Sequence, residues 1–155
     1  MTEPMPRQAA VLCGGRGTRL RPHTDTTPKP MVEVANRPFL EHILGQLAEQ
    51  GIVRFVLMTG YLGEQIHEYF GTGSRWGWDI RYSYGPADWD TGRRVVEAAG
   101  LLDASFFLLY SDNFASVDVG VLAERHVATG RSLTLTLRSK TGGNVRYSPH
   151  TDVTA

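Results

Sequence analysis

Cysteine is nearly absent from this sequence: Cys13 stands alone among 155 residues. An intramolecular disulfide and a multi-cysteine zinc cage are thereby excluded, and a reducing, cytoplasmic compartment is expected. Net charge is absent too, because sixteen Lys and Arg balance sixteen Asp and Glu. A dedicated nucleic-acid binder usually carries a basic excess, so no nucleic-acid partner is expected. No apolar run approaches the roughly 20 residues of a membrane helix. The first residues, 1–7, lack the apolar core of a signal peptide. The histidines His23, His42, His67, His126 and His150 are scattered, with no i, i+4 pair that suggests a metal site. Repeats and low-complexity segments are missing as well.

What remains is an ordinary globular composition, 41% apolar and 21% charged, long enough for one domain with a real core. A single domain over 1–155 is expected, with flexible tails at 1–7 and 148–155.

The apolar run Gln8-Ala9-Ala10-Val11-Leu12 stops at Gly14-Gly15, as a buried strand entering a glycine loop does. Pro22, Pro28 and Pro30 then oppose an α-helix. Residues 38–50 carry Phe39, Ile43, Leu44 and Leu47 at helical spacing, with Pro38 in the first turn and Gly51 closing. Strands are expected at 54–59, 79–84, 106–110 and 132–137. Helices are expected at 62–70, at 91–102 (Val95, Ala98, Ala99 and Leu102 inward) and at 119–129. Strand alternating with helix, with nearly continuous apolar strands, predicts a three-layer α/β fold: a mostly parallel sheet with helices on both faces. In such sheets ligands bind beyond the carboxyl ends of the strands. Those ends carry Gly14, Gly60 and Asp112.

The stretch Leu12-Cys13-Gly14-Gly15-Arg16-Gly17-Thr18-Arg19-Leu20 is the most informative. Glycines directly after a strand let backbone N–H groups gather around an anion, and Arg19 adds a guanidinium that grips phosphate through two parallel hydrogen bonds. The glycines alone are equally consistent with a tight turn beside a surface arginine. Two familiar phosphate motifs fail. A Walker loop ends Gly-Lys-Ser/Thr, whereas Thr18 is followed by Arg19; the dinucleotide fingerprint needs a third glycine opening a helix, and Pro22 follows instead.

Extended through Arg21-Pro22, Thr24 and Pro28-Lys29-Pro30-Met31, the stretch resembles the signature of the sugar-phosphate nucleotidyltransferases. These include mannose-1-phosphate and heptose-1-phosphate guanylyltransferases and glucose-1-phosphate cytidylyl- and thymidylyltransferases. The likeness runs over roughly 8–130, through Asn36-Arg37-Pro38-Phe39-Leu40-Glu41-His42, Gly51-Ile52, Gly60-Tyr61 and Tyr69-Phe70-Gly71. It implies a Rossmann-like fold of the nucleotide-diphospho-sugar transferase type, and an enzyme that joins an NTP to a sugar-1-phosphate with release of pyrophosphate.

By the same resemblance Arg19 and Lys29 are catalytic, acting on the phosphates. Leu12, Gly14, Gly15, Gly17, Thr18, Arg19, Gly92 and Asp112 bind the nucleotide, and Asp112 binds Mg²⁺. Arg16 varies in such motifs and receives no role. Taken alone, Asp112 at a strand end reads equally well as a loop cap. The family usually places glycine before this Asp, so Ser111 is a departure that crowds the backbone there. Asp90-Thr91-Gly92-Arg93-Arg94 occupies the stretch that lies against the base, where relatives carry Gly-Thr-Gly-Gly-Ala or Thr-Gly-Gly-Arg; Asp90 also reads as a helix N-cap. The early motif is guanylyl-like and the Thr-Gly-Arg run cytidylyl-like, which favours GTP or CTP. Trp76, Trp78 and Trp89 are read as core packing ahead of stacking on a sugar or base.

Family members continue past this point with a Glu-Lys-Pro-like segment for the sugar phosphate and a second metal-binding Asp. Residues 141–147 resemble the approach to that region, and the fold is expected to be truncated at its C-terminus. The alternative function is a non-catalytic nucleotide-binding or regulatory module on the same fold. Either is compatible with a homo-oligomer.

Overall fold

The computed structural model describes residues 5–137. The expected approach segment at 141–147 and tail at 148–155 lie outside the described residues, as do residues 1–4 of the expected N-terminal tail.

Four parallel strands form the centre: β1 (Gln8–Cys13), β4 (Arg54–Thr59), β5 (Asp79–Tyr84) and β6 (Phe107–Tyr110), in the order β5-β4-β1-β6. A small antiparallel pair, β2 (Glu33–Val34) and β3 (Arg37–Pro38), lies between β1 and β4 in the chain. It turns through Ala35 and Asn36, both at positive φ. The helices are α1 (Phe39–Ala48), α2 (Gly63–Phe70), α3 (Thr91–Glu97) and α4 (Val119–Thr129).

β1 is buried at all six positions because it has a strand on each side and helices on both faces. Its side chains alternate between two cores, as the period of two requires. Ala9, Val11 and Cys13 join Phe55, Leu57 and Ile80 beneath Leu40, Leu44 and Leu47 of α1, Ile66 and Phe70 of α2, and Val119 of α4. Ala10 and Leu12 join Val56 and Met58 beneath Ala98, Val95 and Leu101 at the end of α3. The three layers expected from the sequence are therefore present. In α1 the buried positions Leu40, Ile43, Leu44 and Leu47 keep helical spacing. The helix closes at Gly51, whose φ of 86° is a left-handed value that favours glycine.

Three expectations change. Residues 132–137 form no strand: Leu133, Leu135 and Leu137 are exposed, and the alternating pattern finds no ladder partner among the described residues. Among the described residues β6 pairs with β1 alone, and α3 packs over β1 and β4 and not over β6; Leu108 and Tyr110 are exposed there rather than covered. The helix expected over 91–102 stops at Glu97 and tightens into a 3₁₀ turn, Ala99–Leu101, leaving Ala99 exposed rather than inward. Between Gly17 and Val32 the prolines leave only short 3₁₀ turns, Thr18–Leu20, His23–Asp25 and Lys29–Met31. No helix among the described residues is long and apolar enough to cross a membrane.

Candidate active site

Parallel strands deliver their carboxyl ends to one rim of the sheet, and an open cavity of about 440 Å³ lies there. Leu12, Gly14, Gly15, Gly17, Thr18 and Arg19 form one wall after β1, and Lys29 and Asp112 contribute from two other loops. Ala87, Trp89, Asp90, Thr91 and Arg94 form the facing wall. Gly92 is the one expected site residue that does not line the cavity. It sits one position beyond Thr91 in the first turn of α3, exposed.

Local chemistry shapes each wall. Gly17 has a φ of 61° and packs so tightly that an added Cβ would lie 2.9 Å from Lys29 Cβ. The buried Thr24 hydroxyl donates to the Gly17 carbonyl at 2.8 Å, which anchors the loop's turn from beneath. Pro28 and Pro30 are both buried and fix the backbone around Lys29, while Met31 N–H donates to the Pro28 carbonyl at 2.8 Å. Lys29 is thereby aimed across the cavity, and its Nζ donates to Asp112 Oδ2 at 2.7 Å.

Asp112 follows directly after Ser111, which is buried. The Ser111 hydroxyl donates to the Leu12 carbonyl at 2.7 Å and its N–H reaches the same oxygen at 3.3 Å. The serine that departs from the family's glycine is accommodated by this hydroxyl bond, and it ties the end of β6 to the end of β1. Cys13 lies beneath. Burial pushes its thiol up to about 12, against the opposing influence of the Ser111 hydrogen bond and the Arg94 charge.

The other candidates separate clearly. Trp76 and Trp78 stack on each other at 5.2 Å, and Trp78 meets Phe55 edge-on at 5.5 Å, so both belong to the core. Trp89 belongs to the cavity wall, with the Arg93 guanidinium 4.6 Å from its ring centre. Asp90 Oδ1 accepts from Arg93 N–H at 2.7 Å and caps α3. Arg16 is exposed and lies 5.6 Å from the ring centre of Tyr61. Among the described residues there is no group of three or more His, Cys, Asp and Glu.

A glycine loop, a lysine and an aspartate thus face one cavity. The family model for nucleotidyl transferases matches residues 8–146.

The chain belongs to the nucleotidyl transferase family.

Among curated members it is similar to the D-glycero-alpha-D-manno-heptose 1-phosphate guanylyltransferase of Aneurinibacillus thermoaerophilus, at 36% identity over 132 residues, covering 84% of this chain and 57% of that protein. It is 30% identical over 150 residues to a probable glucose-1-phosphate cytidylyltransferase of Bacillus subtilis, covering 83% of this chain and 59% of the relative. In solved structures it resembles HddC from Yersinia pseudotuberculosis complexed with GMP-PN, with a TM-score of 0.68 and 25% identity, covering 78% of this chain and 54% of that one. The chain thus spans a little over half the length of these nucleotidyl transferases.

One residue lining the cavity is not singled out by the sequence motif. Arg94 is 5% exposed, and its guanidinium lies at the base of the cavity. A signal for it exists in the sequence: Arg94 precedes Ala98 by four positions, so it shares the inward face of α3.

Proposed function

We propose that this chain is the nucleotide-binding portion of a sugar-1-phosphate nucleotidyltransferase, transferring NMP from an NTP to a sugar-1-phosphate. The observation that carries this reading is the convergence of the glycine loop, Arg19, Lys29 and Asp112 on one open cavity at the carboxyl end of a parallel sheet. In the reaction a phosphate oxygen of the sugar-1-phosphate attacks the α-phosphorus of the NTP in line. The α–β phosphoanhydride bond breaks and pyrophosphate leaves. Such a transfer needs positioned substrates and fixed cations more than it needs covalent chemistry from the protein.

Each residue then has a task. Backbone N–H groups of Gly14, Gly15, Gly17 and Thr18 receive phosphate oxygens, and Arg19 holds the departing pyrophosphate. Lys29, a compact charge aimed across the cavity, neutralises the charge that develops on the phosphates. Leu12 and the stretch around Gly92, with Thr91 nearer the cavity, lie against the base.

A divalent ion fits Asp112. The carboxylate is 37% exposed on the cavity side and already attracts a cation, Lys29, and Mg²⁺ commonly takes one or two carboxylates plus substrate phosphates. Bound there, Mg²⁺ supplies charge neutralisation at the α-phosphate. GTP and CTP are the favoured donors, in keeping with guanylyl- and cytidylyltransferase relatives. The product, an NDP-sugar, suits polysaccharide assembly in the cytoplasm. A homo-oligomer is compatible with this reading.

A second reading is nucleotide binding without turnover, in a chain that spans 57 and 59% of the two relatives named above. A thermal-shift titration with GTP, CTP, UTP, dTTP and ATP, each with and without Mg²⁺, tests both. A nucleotide at about 100 times its Kd adds roughly 2.7 kcal/mol of stability. Stabilisation by one base, enhanced by Mg²⁺, supports the site; no shift with any nucleotide refutes it. Pyrophosphate release with sugar-1-phosphates then separates transferase from binding module.

A further inference from the structure

A buried cation normally meets a buried anion, and Arg94 does not. It is 5% exposed, and no carboxylate lies within 4.0 Å of it among the described residues. Its donors go to main-chain carbonyls instead. Nη1 donates to Thr59 O at 2.8 Å, and Nη2 donates to Pro86 O at 2.6 Å and to Gly14 O at 3.4 Å.

These three oxygens come from the carboxyl ends of three neighbouring strands. Gly14 follows β1, Thr59 ends β4 and Pro86 follows β5. A rigid planar fork of N–H donors suits acceptors spread over three strand ends better than the compact point charge of an ammonium on a flexible stem.

Space has been made for the guanidinium. A Cβ on Gly14 would lie 2.2 Å from Arg94 Cζ, and one on Gly60 would lie 2.8 Å from Nη2 and 2.7 Å from the Gly14 carbonyl. Gly14, Gly60 and Arg94 therefore form one unit: the two glycines leave the volume and the arginine fills it. Tyr61 N–H reaches the same Gly14 oxygen at 3.3 Å, which closes the unit on the β4 side.

The position of the unit matters more than its packing. Gly14 opens the loop that carries Gly15, Gly17, Thr18 and Arg19, and Pro86 opens the facing wall with Ala87 and Trp89. A bond from one guanidinium to both sets the separation of the two walls. The guanidinium also lines the cavity, where its charge favours an anion. Burial pulls the guanidinium below its usual pKa, with Cys13 and Asp88 opposing, yet an arginine stays protonated at working pH.

We propose that Arg94 is a positioning residue of this site, holding the glycine loop against the facing wall so that both grip the nucleotide. The inference rests on the nucleotide reading above, and it assigns to α3 a part in the site that Gly92 alone does not provide.

The test uses Arg94→Ala, Arg94→Lys and Gly60→Ala in the full chain. NTP affinity is read by calorimetry well below each variant's own melting temperature, with and without added methylguanidinium. Each variant is expected to lose roughly tenfold to hundredfold in affinity, the scale of losing one hydrogen bond to a charged group. Methylguanidinium should restore part of the loss in Arg94→Ala and none of it in Arg19→Ala. An arginine needed only for packing would lower the melting temperature and leave the affinity of the folded protein unchanged. Unchanged affinity, or a loss in Arg94→Ala that methylguanidinium does not relieve, overturns the proposal. Should Arg94→Ala not fold, the affinities of Arg94→Lys and Gly60→Ala decide between the two outcomes in the same way. If the wild-type chain binds no NTP, the nucleotide reading itself fails; wild-type binding with unaltered variants refutes the role of Arg94 alone.

Discussion

Lys29 Nζ and Asp112 Oδ2 meet at 2.7 Å although 83 positions separate the two residues in the chain. One is held by flanking prolines, the other by the turn that ends β6. Their side chains are 30 and 37% exposed, so water screens the pair and its contribution to stability is small. On the proposed function the contact is one that a polyanion and its counterion would separate, and not a structural strut.

That asymmetry is measurable. Lys29→Ala and Asp112→Asn should each change unfolding free energy by less than about 1 kcal/mol. Lys29→Ala should lower turnover about 10²–10³-fold, the scale for losing one group that stabilises developing charge. Asp112→Asn should abolish the Mg²⁺-dependent part of nucleotide stabilisation. A large fall in melting temperature with nucleotide binding intact would reverse the interpretation.

Arg19 is exposed and makes no ion pair among the described residues. Arg19→Ala should leave the melting temperature unaltered. It should weaken NTP and pyrophosphate binding by about 1.5–3 kcal/mol, the usual range for hydrogen bonds to a charged group. Titration calorimetry with both ligands gives the comparison directly.

The turn at Gly17 offers a stability experiment. Gly17→Ala places a Cβ at a φ of 61°, 2.9 Å from Lys29 Cβ and 3.1 Å from Thr24 Cγ2. A cost of about 1–2 kcal/mol is expected from the left-handed backbone alone. Thr24→Val removes the buried 2.8 Å bond to the Gly17 carbonyl and should cost about 1 kcal/mol or more. Both should lower the urea midpoint and weaken nucleotide binding together, since the same turn carries Thr18 and Arg19.

Cys13 predicts an alkaline limit. Burial raises its thiol from 9.0 to about 12. Between those values the unfolded chain has lost the proton and the folded chain has kept it. Folding stability is therefore complete below pH 9 and falls as pH rises toward 12, by about 1.4 kcal/mol per unit for this one group. Tyr82 is raised as well, chiefly by burial and then by Tyr84 and Cys13, and it adds to the decline at higher pH. In Cys13→Ala the slope of unfolding free energy against pH should be shallower by one proton, as urea melts at pH 8, 9 and 10 would reveal. Native Cys13 should also resist iodoacetamide at pH 8, because the reactive thiolate is scarce and the side chain is 1% exposed.

Much of this fold is legible without a structure. Residues 54–59, 79–84 and 119–129 form the elements that their apolar spacing predicts, and Gly14–Arg19, Lys29 and Asp112 are picked out by the family resemblance. Periodicity, glycine freedom and proline restriction operate within a few residues, so a linear reading captures them. Two of the exceptions involve distant partners. Residues 132–137 have a strand's pattern, but a strand exists only where another pairs with it. Leu108 and Tyr110 are apolar like a buried strand, yet among the described residues α3 covers β1 and β4 and leaves them exposed.

Sequence by itself determined the alternation of strand and helix, the glycine loop and the presence of a cation and a carboxylate suited to phosphate chemistry. Tertiary structure alone decided that Lys29 faces Asp112, that Ser111 bonds back to Leu12, and that Arg94 is joined to Gly14 across 80 positions. The physical reason is the strand order: placing β1 between β4 and β6 brings distant loops to one rim, and no local preference specifies which strands become neighbours.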